Sequence, residues 1–304
     1  MPVDLKCKIA GVEFANPIMT ASGCAGYGEE LAQIYPLSNL GALVTKSISL
    51  KVRPGYPPPR TVETPGGLLN AIGLANVGID RFLNEKVPFL EQQKTKVIVN
   101  VAGSTIDEYV EVCSRLNDCS CADMIELNIS CPNVNEGGIE FGTSPKLTEK
   151  TVAAARKVFK RPIIAKLAPN VTSIVEIAKA AEQGGADALS IINSVIGTAV
   201  DIDSWKPLLA NINGGLTGPA IKPIALAMVS GVYRKCKLPI IGIGGITDYK
   251  DVIEYLLYGA TAVQVGTALF VDPSAPLKIV KGLKKYLKEK KLKSVTELIG
   301  KVRR

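Results

Sequence analysis

The chain has 304 residues, 47% of them hydrophobic and 21% charged, a balance that fits a globular protein with a large core and excludes a disordered or collagen-like chain. The formal charge of +8 hints at nucleic acid, but seven lysines and one glutamate fall between Lys281 and Lys293. Lys281, Lys284, Lys285 and Lys288 repeat there at helical spacing, as on a solvated helix face, and 5% aromatics is too thin for a base-stacking platform, so no nucleic-acid partner is expected.

No run approaches the roughly 18 apolar residues of a membrane span, and the start, Met1 to Cys7, carries no apolar signal segment. Seven cysteines, an odd number, are therefore expected as reduced thiols in the cytoplasm. Cys119 and Cys121 are too close in sequence for a metal knuckle and no C-x-x-C pair exists, so no metal site is expected.

In chain order, Leu5 to Phe14 alternates apolar and polar residues around Ala10-Gly11, a short hairpin signal. Eight apolar runs follow: 17–23, 41–47, 96–103, 124–130, 162–168, 188–194, 239–245 and 262–268. Between them lie helix-period segments, mainly Ile79 to Gln92, Thr105 to Leu116, Glu149 to Phe159, Ser173 to Gln183, Pro219 to Lys235 and Tyr249 to Tyr258. Near-continuous apolar strands alternating with helices imply parallel strands covered on both sides. Eight such units predict an α/β protein, a closed (β/α)8 TIM barrel forming one domain over 1–304, with the hairpin plugging its amino end. An open doubly wound sheet is the second reading, but no G-x-G-x-x-G opens an early helix. Two long connections, Leu50 to Val77 and Ser194 to Gly218, lie where barrels grip substrates.

A barrel delivers its strand ends to one face. Those ends carry Ser22, Lys46, Asn100, Asn128, Lys166, Asn193, Ser194, Gly244, Gly245, Gly266 and Thr267. The set is rich in neutral donors and lysine and poor in carboxylates. It suits a flat, anionic or carbonyl-rich ligand rather than a metal ion. Glycines closing the last two strands let backbone N–H groups approach a phosphate, although glycine at a strand end is also ordinary turn chemistry. Lys166, inside an apolar strand, needs an anionic or carbonyl partner. It could form a Schiff base or hold the electron-rich edge of a cofactor ring, and Lys46 raises the same choice. The uncharged loop Thr64 to Asn76 could wrap a small planar ring, with Asn70 reading its carbonyls.

The fourth run ends in Asn128-Ile129-Ser130-Cys131-Pro132-Asn133, where Pro132 stops the strand. The chain has no histidine, so proton transfer near neutral pH falls to a carboxylate, lysine, tyrosine or thiol. Cys131, in a polar turn between asparagines, is one such base; the competing reading is a small buried hydrophobe.

The segment 128–133, with Asn70-Ala71-Ile72-Gly73-Leu74, Lys46-Ser47, Ile192-Asn193-Ser194, Gly218 to Pro223 and the strand-end glycines, resembles dihydroorotate dehydrogenase over about Val12 to Phe270. The resemblance implies an FMN enzyme of pyrimidine (UMP) biosynthesis that oxidises (S)-dihydroorotate to orotate. Cys131 would take the C5 proton while the C6 hydride passes to flavin N5. Lys46, Asn70, Ile72, Gly73, Leu74, Asn128, Asn133, Asn193 and Ser194 would hold the substrate. Ser22, Lys46, Ser47, Asn100, Asn128, Lys166, Ile192, Gly218, Gly244, Gly245, Gly266 and Thr267 would hold FMN, with Lys166 at its N1/O2 edge.

Cysteine as base is similar to the soluble class 1, and 134–142 is similar to its NAD-linked type 1B. That type implies a homodimeric core in a heterotetramer with a subunit carrying FAD and a [2Fe–2S] cluster, which this chain lacks the cysteine spacing to ligate. The fumarate-linked type 1A, a dihydropyrimidine dehydrogenase-like flavoenzyme, a Lys166 aldolase and a non-catalytic scaffold subunit are the competing readings.

Overall fold

The computed structural model describes residues 3–129 and 142–303. Eight parallel strands close into a barrel in simple chain order: Ile18–Thr20, Ala42–Val44, Lys96–Val101, Met124–Asn128, Ile163–Leu167, Ala188–Ile191, Ile240–Ile243 and Ala260–Val265. Each of the eight predicted runs supplies one of them, which establishes the (β/α)8 reading over the open sheet. Side chains alternate along a strand, so residues two apart share a side. Val97, Val99, Val101, Ile125, Leu127, Ile163, Ala165 and Leu167 pack into the main core with the surrounding helices, such as Ile106–Asn117 and Pro145–Val158.

The opposite parity fills the barrel. Met19, Val44, Ile98, Met124, Ile164, Ala188, Ile241 and Ala262 form one apolar cluster with Cys7, Ile9 and Phe14 of the hairpin. Cys7–Ile9 pairs antiparallel with Val12–Phe14, and Ala10 and Gly11 both take positive φ, the two-residue turn that Ala-Gly signalled. The hairpin thus buries its apolar face against the lowest interior layer and plugs the barrel.

Helix starts follow local chemistry. Thr105, Ser144 and Ser173 cap through their side-chain oxygens, and Asp248 makes a capping box with Asp251. The helix read from Glu149 starts four residues earlier, at Pro145, because proline is suited to a first turn whose N–H has no partner. The segment read as one helix from Ile79 to Gln92 is interrupted by a π-turn over Phe82–Lys86; Pro88, just beyond, has no N–H to continue the ladder. The lysine-rich stretch lies on Ala275–Glu289, which buries Ile279, Leu283 and Leu287 and exposes Lys281, Lys284, Lys285 and Lys288. Among the described residues no helix is long and apolar enough to cross a membrane.

The two long connections are not loops. They combine into a four-stranded antiparallel sheet in the order Val195–Thr198, Asn213–Thr217, Gly67–Asn70 and Thr61–Thr64. Each polar, glycine-rich connection folds back on itself, Thr61–Thr64 on Gly67–Asn70 and Val195–Thr198 on Asn213–Thr217, and the two hairpins then join across the barrel, Gly215 pairing with Asn70 and Thr217 with Leu68.

Candidate active site

The sheet over the connections roofs a cavity of about 1350 Å³ at the carboxyl ends of the barrel strands. Pockets for one drug-sized molecule hold about 300–1000 Å³, so this one has room for two ligands in contact. Of the described residues expected at the site, all but Asn100 line it: Ser22, Lys46, Ser47, Asn70, Ile72, Gly73, Leu74, Asn128, Lys166, Ile192, Asn193, Ser194, Gly218, Gly244, Gly245, Gly266 and Thr267. Cys131 and Asn133 lie outside the described residues.

Strand parity orders the interior above the apolar plug. Two residues further along each strand comes a polar layer with Asn100, Glu126, Lys166, Ser190 and Gln264, and two further again come Asn128, Ala168, Ile192 and Gly266 at the cavity. Asn100 therefore sits one layer below the position its place in the sequence suggested. It is fully buried, accepts from the Ser47 hydroxyl at 2.6 Å and donates to Glu126 Oε1 at 2.7 Å.

Glu126 is the residue the sequence reading missed. Its carboxylate, with 0% exposure, receives Asn100 and, at 2.6 Å, Gln264 Nε2, while Lys166 Nζ lies 3.7 Å away. A buried charge is tolerated when it is paired and hydrogen-bonded, and here four different barrel strands contribute to the cluster. Parity carried the signal: an inward Asn128 requires an inward Glu126. Lys166 thus has a buried carboxylate for its partner. Gln264, also unforeseen, lines the cavity, and its Oε1 has no hydrogen-bond partner although the residue is 1% exposed. A buried orphan acceptor calls for a ligand that donates.

At the mouth the asparagines orient one another. Asn193 Nδ2 donates to Asn128 Oδ1 at 3.2 Å and Asn193 Oδ1 accepts from the Ser194 N–H at 2.8 Å. The Asn128 oxygen being taken, its amide N–H groups are what it offers a ligand. Asn70 Nδ2 donates to the Gly215 carbonyl across the roof at 2.9 Å. Asn170, which the sequence reading passed over, ties the Ser194 carbonyl and the Ile196 N–H and lines the same cavity. Lys46 is half-buried, and desolvation, with Arg60's charge second, lowers its pKa; among the described residues it has no ion-pair partner. Such a cation favours an anionic ligand.

The glycines form a cradle. Gly218, Gly244 and Gly245 have φ of 93°, 125° and 66°, where a side chain is strained. A Cβ on Gly245 would meet the Gly218 carbonyl at 2.9 Å, and one on Gly218 would meet Gly67 at 2.7 Å. The closeness of backbone here leaves no space for side chains and opens amides to a ligand, as a phosphate site needs.

The chain matches the family profile of dihydroorotate dehydrogenase over residues 4–287. It is 54% identical to a protein of Pelobacter propionicus named dihydroorotate dehydrogenase B (NAD(+)), catalytic subunit, over 99% of either chain. Proteins of the same name from Citrifermentans bemidjiense and Geobacter sulfurreducens are 52% and 53% identical over 98% of this chain and 97% of theirs.

Proposed function

This chain belongs to the dihydroorotate dehydrogenase family, and from that premise we propose that it is the FMN-binding catalytic subunit of an NAD-linked enzyme that oxidises (S)-dihydroorotate to orotate in pyrimidine biosynthesis. The observation that carries the reading is one shared cavity of about 1350 Å³, lined at once by the glycine cradle and by Lys46, Asn128 and Asn193. The residues fit the cofactor. Gly218, Gly244, Gly245, Gly266 and Thr267 suit a phosphate, the orphan oxygen of Gln264 suits a ring N–H, and Ser22, Ser47 and Ile192 complete the lining.

Bound FMN would supply the acceptor for the C6 hydride at its N5. The chain's own residues do the rest. Lys46 pairs the substrate carboxylate. Asn70, Asn128, Asn133, Asn193 and Ser194, with Ile72 and the Gly73-Leu74 backbone, hold the ring amides. Cys131 takes the proton from C5. Lys166, with Glu126 behind it, keeps a positive charge under the cavity floor at the N1/O2 edge. The roof formed by the antiparallel sheet excludes water from the reacting carbons.

The names of the relatives support an NAD-linked enzyme with a partner subunit. We place FAD and a [2Fe–2S] cluster on that partner, in a cytoplasmic heterotetramer built on a homodimer of this chain, which is one domain.

The purified chain, alone or with its partner, is expected to be yellow from bound FMN and to bleach with dihydroorotate but not with dihydrouracil. A colourless protein that takes up no FMN ends this reading; bleaching by dihydrouracil alone would favour dihydropyrimidine chemistry. Lys46→Ala is expected to weaken dihydroorotate binding roughly 10- to 100-fold, the worth of a charge-assisted contact. Titrating the variant's flavin spectrum with orotate measures this; an unchanged Kd would remove Lys46 from the carboxylate site.

A further inference from the structure

One chemical feature lies apart from the cavity. Cys119 and Cys121, at the amino end of the barrel, bring their sulfurs to 3.3 Å. The cause is a turn leading into the strand Met124–Asn128: the Ala122 N–H reaches the Cys119 carbonyl at 3.4 Å and the Cys119 N–H reaches Leu116 at 3.0 Å. A β-turn keeps its ends within about 7 Å, within reach of a disulfide for residues inside it. Arg161 fixes the turn. Its guanidinium donates to the carbonyls of Cys119 at 2.7 Å and Asn117 at 2.9 Å, and also to Leu116 and Ala122.

Both thiols are buried, at 6% and 8% exposure, but Cys121 lines a second cavity, of about 640 Å³, with the exposed residues Ser120, Glu91 and Lys94. Gly41, Lys96 and Asp123, at the amino ends of barrel strands, line it too, with Glu13 of the hairpin. A small oxidant therefore has a route to Cys121, and to the Cys119 sulfur 3.3 Å from it, that does not pass the active site.

We propose that Cys119 and Cys121 are a reversible oxidation site, a dithiol that closes to a disulfide with a hydroperoxide as oxidant. The Cys119 thiolate attacks the outer oxygen of the hydroperoxide; the O–O bond breaks, a sulfenic acid forms and an alcohol (or water) leaves after taking a proton. Cys121 then attacks the Cys119 sulfur; the S–S bond forms, the S–O bond breaks, and water leaves with the Cys121 proton. The two thiols are oxidised by two electrons and the peroxide is reduced by two. The assignment of roles agrees with the contact between the sulfurs: the Cys121 S–H beside it draws the Cys119 thiol down to about 7, while the same contact raises Cys121. Closure needs only that sulfurs 3.3 Å apart move to the roughly 2.05 Å of a bond, in a turn already held by Arg161. Intracellular disulfides that do form belong to redox chemistry of this kind rather than to structural crosslinks, and small, strained rings are the readily reduced ones.

The test uses the full chain with its cofactor, treated with hydrogen peroxide, alkylated and cut before aspartate. Cleavage at Asp118 and Asp123 releases Asp118–Ala122, which holds these two cysteines and no other. After peroxide this peptide is expected unalkylated and lighter by two hydrogens, and dithiothreitol restores two alkylatable thiols. In Cys121→Ser, Cys119 is expected to be trapped as a sulfenic acid by dimedone. A peptide still carrying two free thiols, one carrying a sulfinic acid, or a disulfide from either cysteine to another part of the chain would overturn the proposal.

Discussion

Cys131→Ala is expected to slow bleaching of the flavin by dihydroorotate about 10²- to 10⁴-fold, the usual worth of a general base, while FMN stays bound. The expectation rests on the proposed role of Cys131 as the base that takes the C5 proton. With no histidine in the chain, the base must be a carboxylate, lysine, tyrosine or thiol. Lys166 and Glu126 are engaged with each other, and Lys46 is the cation left for a carboxylate. Cys24, the described cysteine that lines the cavity, is pushed up to about 11 by burial, although the charge of Lys166 works the other way. That leaves it protonated near neutral pH and ill-suited as a base.

A free thiol titrates near 8.5 and is only slightly ionised at about pH 7. Proton abstraction needs the thiolate, so the rate should climb with pH and level off above the thiol's pKa. Stopped-flow bleaching from about pH 6 to 9 checks this. A flat profile with chemistry rate-limiting, or an alanine variant at the native rate, would move the base elsewhere.

The second large effect concerns the polar layer. Lys166→Met is expected to cost about 3–5 kcal/mol of stability, because it leaves a fully buried carboxylate without its counter-charge. Glu126 would keep only the amides of Asn100 and Gln264. Adding Glu126→Gln removes the stranded charge, so the double variant should recover most of the loss in urea unfolding. It should not recover flavin reduction, since the ammonium at the cavity floor is still missing. A single variant as stable as the parent would show that the pair is not coupled. A double variant that bleaches at the parental rate would show that Lys166 does not serve the chemistry.

These two residues also mark how far the sequence could be read. Cys131 stood out through its neighbours, Pro132 and the flanking asparagines, all local in the chain. Glu126 did not, although it lies five positions earlier, because a carboxylate within an apolar strand has no meaning until the strand's inward parity and its neighbours are known. Asn100 lies deeper than its place in the sequence suggested, its side chain bonded to Ser47 and Glu126 in the polar layer. Gln264 and Asn170 passed unnoticed for the same reason, each defined by partners on other strands.

By itself the sequence determined the eight apolar runs, the hairpin, the glycines at the last strand ends and the residue types at the mouth. These follow from hydrophobic periodicity and turn chemistry, which act over a few residues. The closed ring decided the depth of each side chain, since only closure stacks the inward residues of different strands into layers. Tertiary structure joined the roof as well: each polar connection makes its own hairpin, but the free edges of Gly67–Asn70 and Asn213–Thr217 are paired only when the two meet across the barrel mouth.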